Sequence, residues 1–219
     1  MAAVFHILYR LLFQEIDGFL QSSGHPQAVS SALASVLLLA LAFPVYHWLL
    51  SDTRKPADVW SASVATLANR SASVLADRST TVWTALAMAL LAGLLAGCLV
   101  LVVAFFWSDS PSPLPGVVGV FLIVILTPAA EELYFRYLMQ GYLMESLKRV
   151  SASAPMIRVL PLAFSVLCFA FSHHYFIAPV LLIPGLASGL VFLRWGVLAS
   201  MVTHSAYNAV LIGGAYAFS

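Results

Sequence analysis

Glu131, Glu132 and Arg136 stand together inside a run of apolar residues, 116–147, that would exceed one bilayer thickness as a straight helix. No other feature constrains the fold as strongly. An Asp, Lys or Arg at the centre of a membrane span costs roughly 2.5–3.5 kcal/mol on insertion scales, and ionisable residues inside spans are rare and mostly functional. Three adjacent ionisable groups therefore require a structure that compensates them. Two later apolar stretches carry polar groups able to do so: FAFSHH at 169–174 and HSAYN at 204–208. Pro128, just ahead of the acids, is expected to break or kink the run.

The rest of the chain supports a membrane setting. It has 219 residues, of which 62% are hydrophobic and 9% charged, against roughly 25% charged in soluble domains. At roughly 20 residues per crossing, it is expected to be an all-α, polytopic transmembrane bundle of about six to eight helices around a polar catalytic cavity. A net charge of +1 gives no argument for a nucleic-acid partner. Cys98 and Cys168 lie in apolar runs without metal-ligand spacing and are expected to be core thiols. The N-terminus shows no pattern of a cleavable signal peptide.

Three regions follow in order. Residues 1–27 form an N-terminal amphipathic helix: His6, Arg10, Gln14 and Asp17 make one polar stripe, with Phe5, Leu8, Leu12, Ile16 and Phe19 largely opposite. Such a helix is expected to lie at the membrane interface. Residues 28–110 hold two accessory spans, 28–50 and 82–107, joined by the polar connection 51–81. A surface helix is expected in that connection, with Trp60, Val64 and Leu67 against lipid. Gly93 and Gly97 form a GxxxG pair, a signature of close helix contact. Residues 111–219 form a catalytic helical core, with spans at 116–147, 159–173, 176–193 and 196–215. With one crossing each, the connections 51–81 and 148–158 and the corner at Arg194 share one side. They hold every Lys and Arg except Arg10 and Arg136. The positive-inside rule makes that side cytoplasmic.

The chemistry is read from spacing. Glu132 and Arg136 are four apart with the acid first, the favourable order for a helical ion pair. Glu131 is rotated about 100° away, and this geometry leaves it unpaired. The two acids thus occupy different environments, the pattern that separates a supporting group from a reactive one. Phe169 and His173 share one helical face, with His174 turned aside. His204 and Asn208, also four apart, can present two N–H donors to one point, as an oxyanion hole requires.

These three motifs, Glu131-Glu132-x-x-x-Arg136, Phe169-x-x-x-His173 and His204-x-x-x-Asn208, in that order, resemble the CPBP family. That family comprises CAAX prenyl proteases of the Rce1 type, bacteriocin-processing and self-immunity proteins, and Abi proteins. The resemblance covers roughly residues 115–215. It implies an intramembrane glutamate-type endopeptidase whose cavity opens towards the cytoplasm, in an integral protein of a prokaryotic plasma membrane. Glu131 would be the base that activates water, assisted by His173. His204 and Asn208 would form the oxyanion site, and Glu132, Arg136 and Phe169 would support them. The resemblance implies no catalytic metal and no cofactor, and a peptide or membrane-protein substrate of CAAX or leader type. Many family members carry glycine after the motif arginine. Here it is Tyr137, a larger side chain expected to reshape the pocket.

Other classes fit parts of the pattern. A non-catalytic immunity or scaffold protein could use the polar cluster to bind a peptide or membrane partner, but binding needs no base beside an oxyanion site. A proton-coupled transporter could use buried Glu and His. It would also require matching broken helices in two halves, and these are absent from the sequence. A zinc site of two histidines and a glutamate is a further alternative, although no two histidines have HExxH spacing.

Overall fold

The computed structural model describes residues 2–24, 26–50, 79–107, 114–173 and 178–218. His174, the surface helix expected within 51–81 and most of the loop 108–115 lie outside the described residues. Among those described there are seven helices and no strand. They are α1 (Ala2–Ser22), α2 (Gln27–Leu50), α3 (Ser79–Trp107), α4 (Val117–Arg149), α5 (Ala154–Phe171), α6 (Leu182–Trp195) and α7 (Val197–Ala217). Three stretches are long and apolar enough to cross a membrane: Val82–Ala104, Val117–Arg149 and Ala154–Phe171. Val29–Val45 and Pro179–Trp195 are apolar but shorter.

Pro128 does not break α4. The helix continues through it, with two wide π segments, Leu122–Leu126 and Leu133–Gln140, on either side of Thr127–Glu132. The first segment accounts for the proline physically. A proline ring in an α-helix clashes with the carbonyl four residues back and donates no hydrogen bond. Widening the turn moves the ladder to five-residue bonds, as in Thr127 N–H to the Leu122 carbonyl. The proline at 128 then leaves the Ile123 carbonyl without its backbone donor. π segments of this kind are frequent at functional sites.

The GxxxG pair sets α3 against α7. A Cβ on Gly93 would lie 2.1 Å from the Thr203 carbonyl oxygen, and one on Gly97 would lie 2.7 Å from the Val210 Cβ. The Thr203 hydroxyl donates to the Ala89 carbonyl at 3.0 Å. Because contacts pair 89 and 93 with 203 and 97 with 210, the two helices run in the same direction. Without a side chain at these glycines the backbones can meet, and that contact fixes the height of α7. Gly196 links α6 to α7 with φ 85°, a left-handed conformation that glycine adopts without steric cost.

The core is built where α4, α5 and α7 converge. Tyr134, Phe135, Leu138 and Met139 of α4 pack with Phe169 and Ala170 of α5 and Tyr207 of α7. Tyr137 is half-buried and stacks on Phe43 of α2, with ring centroids 6.2 Å apart. The larger residue that follows the motif arginine is thus used in contact with an accessory helix. In α1 the polar stripe turns inward, with Asp17 accepting a hydrogen bond from Ser31 of α2 at 3.1 Å. Ile7, Leu8, Leu11, Leu12 and Phe19 face away from the protein.

Candidate active site

Arg136 is the hub of the site and is fully buried. Its Nε donates to Glu132 Oε2 at 3.2 Å, one terminal nitrogen to the Ser165 hydroxyl at 2.7 Å, and the other to the Gly185 carbonyl at 2.9 Å. The Ser165 hydroxyl in turn donates a hydrogen bond to the Phe135 carbonyl. One guanidinium therefore ties α4, α5 and α6 together. Its planar fork of donors suits this better than an ammonium would. Neither Ser165 nor Gly185 carried a signal in the sequence, since small residues in apolar helices are common.

Glu132 is also fully buried, and its second oxygen is engaged as well. Oε1 lies 2.9 Å from Nδ1 of His204 on α7. An ionised carboxylate only accepts hydrogen bonds, so Nδ1 carries the proton and the Nε2 edge of the ring points onward. It points at Glu131, whose Oε2 stands 3.7 Å away, beyond hydrogen-bond length. Glu131 retains 16% exposure, whereas Glu132 has none. The adjacent acids therefore differ as their helical rotation requires: one is locked between Arg136 and His204, and the other faces an imidazole edge with room beside it.

Phe169 separates the groups around it. Its ring meets Phe135, His173 and His204 edge-on at 5.5, 5.1 and 5.4 Å, and the Arg136 guanidinium carbon lies 5.5 Å from its centroid. His173 stands just past the end of α5. Its Nδ1 lies 2.9 Å from the Phe169 carbonyl. A carbonyl only accepts, so Nδ1 carries a proton. Asn208 donates to the Ile123 carbonyl at 2.8 Å. That is the acceptor orphaned by Pro128, so one amide N–H of Asn208 repairs the α4 ladder while the amide retains a second.

The sequence motifs single out Glu131, Glu132, Arg136, Phe169, His173, His204 and Asn208. All seven lie where α4, α5 and α7 meet. They do not reveal the link from Glu132 to His204, nor the approach of α1. Tyr9 lies flat on Tyr134, with centroids 3.8 Å apart and planes at 16°. Burial, and secondly the charge of the nearby Glu131, raise the Tyr9 phenol above its ordinary pKa. Among the described residues no three His, Cys, Asp or Glu side chains are arranged to hold a metal ion.

Residues 113–210 match the family model described as type II CAAX prenyl endopeptidase Rce1-like. No curated protein and no solved structure matches the chain.

Proposed function

We infer, from the match of residues 113–210 to the family model of type II CAAX prenyl endopeptidases, Rce1-like, that the chain hydrolyses a peptide bond in a membrane-associated protein or peptide, with Glu131 as base. The observation that carries this reading is the unequal fate of the two acids. Glu132 is spent on Arg136 and His204, while Glu131 stands 3.7 Å from an imidazole and keeps access. A catalytic base needs that access, and a structural ion pair does not.

In the proposed mechanism Glu131 takes a proton from water, and the water oxygen attacks the substrate carbonyl. His173, protonated on Nδ1, offers Nε2 as a second acceptor that orients the water. The carbonyl oxygen becomes an oxyanion, stabilised by Nε2–H of His204 and the second N–H of Asn208. This role requires a proton on both nitrogens of His204, and Glu132 stabilises that imidazolium from the Nδ1 side. Before the attack Glu131 faces the imidazolium as a carboxylate. Once it holds the water proton it is neutral, and the imidazolium's attraction passes to the oxyanion. Collapse of the tetrahedral intermediate breaks the C–N bond, and Glu131 returns the proton to the leaving amine.

Glu131→Gln removes the base without removing a hydrogen-bonded partner. It should abolish cleavage in detergent, with uncleaved peptides accumulating in cells by mass spectrometry. Wild-type activity should survive chelators. Activity lost to chelation and restored by zinc would make Glu131, His173 and His204 ligands and refute this mechanism. The proposed setting is a prokaryotic plasma membrane, with Lys148, Arg149 and Arg158 on the cytoplasmic side by the positive-inside rule. In intact cells an impermeant thiol reagent should then label a cysteine at Ser23 and not one at Ser153. The reverse pattern would invert the topology.

A further inference from the structure

The polar stripe of α1 is aimed at the site. His6 is 8% exposed, with Nδ1 lying 3.5 Å from the Tyr134 hydroxyl and Nε2 3.4 Å from that of Ser172. Arg10 donates to the Phe171 carbonyl at 2.8 Å. Between them Tyr9 stacks face to face on Tyr134. Tyr134 lies one helical turn beyond Glu131, and Ser172 directly precedes His173. The three α1 side chains thus touch both segments that carry the proposed base and its assisting imidazole. A buried polar group such as His6 needs matched partners, so this docking is specific in register and not a generic apolar contact. None of α1 lies within residues 113–210, the range matched to the family model.

We propose that Tyr9 is a specificity-determining residue of the site: its ring, backed by the buried Tyr134, forms the wall against which the substrate residue beside the scissile bond rests. The proposal rests on the protease reading above. Glu131 keeps only 16% exposure, so whatever reaches it is bounded by its neighbours. An aromatic pair held by stacking on one side and by the His6 and Arg10 contacts on the other makes a wall of fixed position. A rigid apolar wall limits the size of the side chain it accepts, and in such pockets one methylene more or less discriminates by about 10- to 200-fold. Specificity would then sit on α1, apart from the helices that carry the chemistry.

The test uses the full chain in detergent and three farnesylated peptides ending Cys-a-a-X, with the first aliphatic position occupied by Ala, Leu or Trp. Tyr9→Ala should raise kcat/KM for the Trp peptide relative to the Ala peptide by about tenfold or more, the scale of a relieved pocket wall. Tyr9→Phe keeps the ring and should leave that ratio within about twofold of wild type. An equal loss on all three peptides in both variants would overturn the proposal, since a residue that merely holds α1 in place does not re-rank substrates. A second arm covers loosening of α1 by the alanine. In the Glu131→Gln protein, a benzophenone side chain at the varied position should photocrosslink to α1 close to Tyr9. Products lacking any α1 peptide would overturn the proposal. If wild type cleaves none of the three peptides, CAAX-type cleavage by this site fails, and the crosslinking arm still decides whether α1 borders the bound peptide.

Discussion

Replacing Glu132 by glutamine is the sharpest perturbation of this protein, because the residue is fully buried between Arg136 and His204. The change removes one negative charge and leaves the Arg136 guanidinium without its counterion, still bonded only to a hydroxyl and a carbonyl. Breaking a buried ion pair from one side costs about 3–5 kcal/mol. For a domain of this size 1 kcal/mol shifts the melting temperature by roughly 2–4 °C, so the expected loss is about 6–20 °C. Glu131→Gln removes no hydrogen-bonded partner and should stay within about 0.5 kcal/mol of wild type, a shift of roughly 2 °C or less. Differential scanning fluorimetry in one detergent compares the two directly. The double variant Glu132→Gln/Arg136→Met deletes both charges and should recover part of the loss, since the uncompensated charge dominates the penalty. Recovery is incomplete because Ser165 and Gly185 lose their donor. A Glu132→Gln protein that melts with wild type, beside a Glu131→Gln protein that does not, would refute the assignment of the two acids.

The orphaned Ile123 carbonyl yields a paired test. Asn208→Ala should slow turnover roughly 100- to 1,000-fold through loss of an oxyanion donor, and should also cost about 0.5–1.5 kcal/mol in stability, because a part-buried acceptor loses its partner. Adding Pro128→Ala restores a backbone donor five residues on, so melting should recover while turnover does not. Gly93→Ala should cost at least about 1–3 kcal/mol, because the new methyl meets the Thr203 backbone and not a movable side chain. Activity should fall with it in the same assay, since α7 carries His204 and Asn208. His6 is held down to about 4 from its ordinary 6.5, first by burial and then by the charge of Arg10. Below 6.5 the released residue binds a proton that the docked one does not, so its contribution is whole above 6.5 and is lost as the pH falls towards 4. Protease protection of α1 should decline across that window, and His6→Phe should flatten the decline.

Much of the site was legible in the sequence because helical spacing translates directly into shared faces. The four-residue step from Glu132 to Arg136 yields the 3.2 Å contact, and Gly93 and Gly97 mark where α3 meets α7. What spacing could not supply was which faces meet. The bond from Glu132 to His204 joins residues 72 positions apart, and nothing local in either segment announces it. The partners of Arg136 were equally hidden, because one is a serine and the other a backbone carbonyl. The stripe on α1 was visible as a pattern, but periodicity does not say whether a polar face seeks water or protein. With lipid around the bundle, the apolar face has a natural place outside, and the polar one finds partners within. At Pro128 the helix does not break, because two widened turns keep α4 continuous.

The position of Phe169 carries a consequence for how this protein can vary. One ring borders Arg136, His173, His204 and Phe135 at once, so a change at any of these is transmitted to the other three through a shared neighbour. Residues in such contact show interaction energies of about 0.5–3 kcal/mol, and their single effects do not add. A substitution at His173 tolerated with phenylalanine at 169 need not be tolerated with leucine there. Viable sequences at these five positions therefore form linked sets, and a lineage can leave one set for another only through Phe169 itself or through several changes made together.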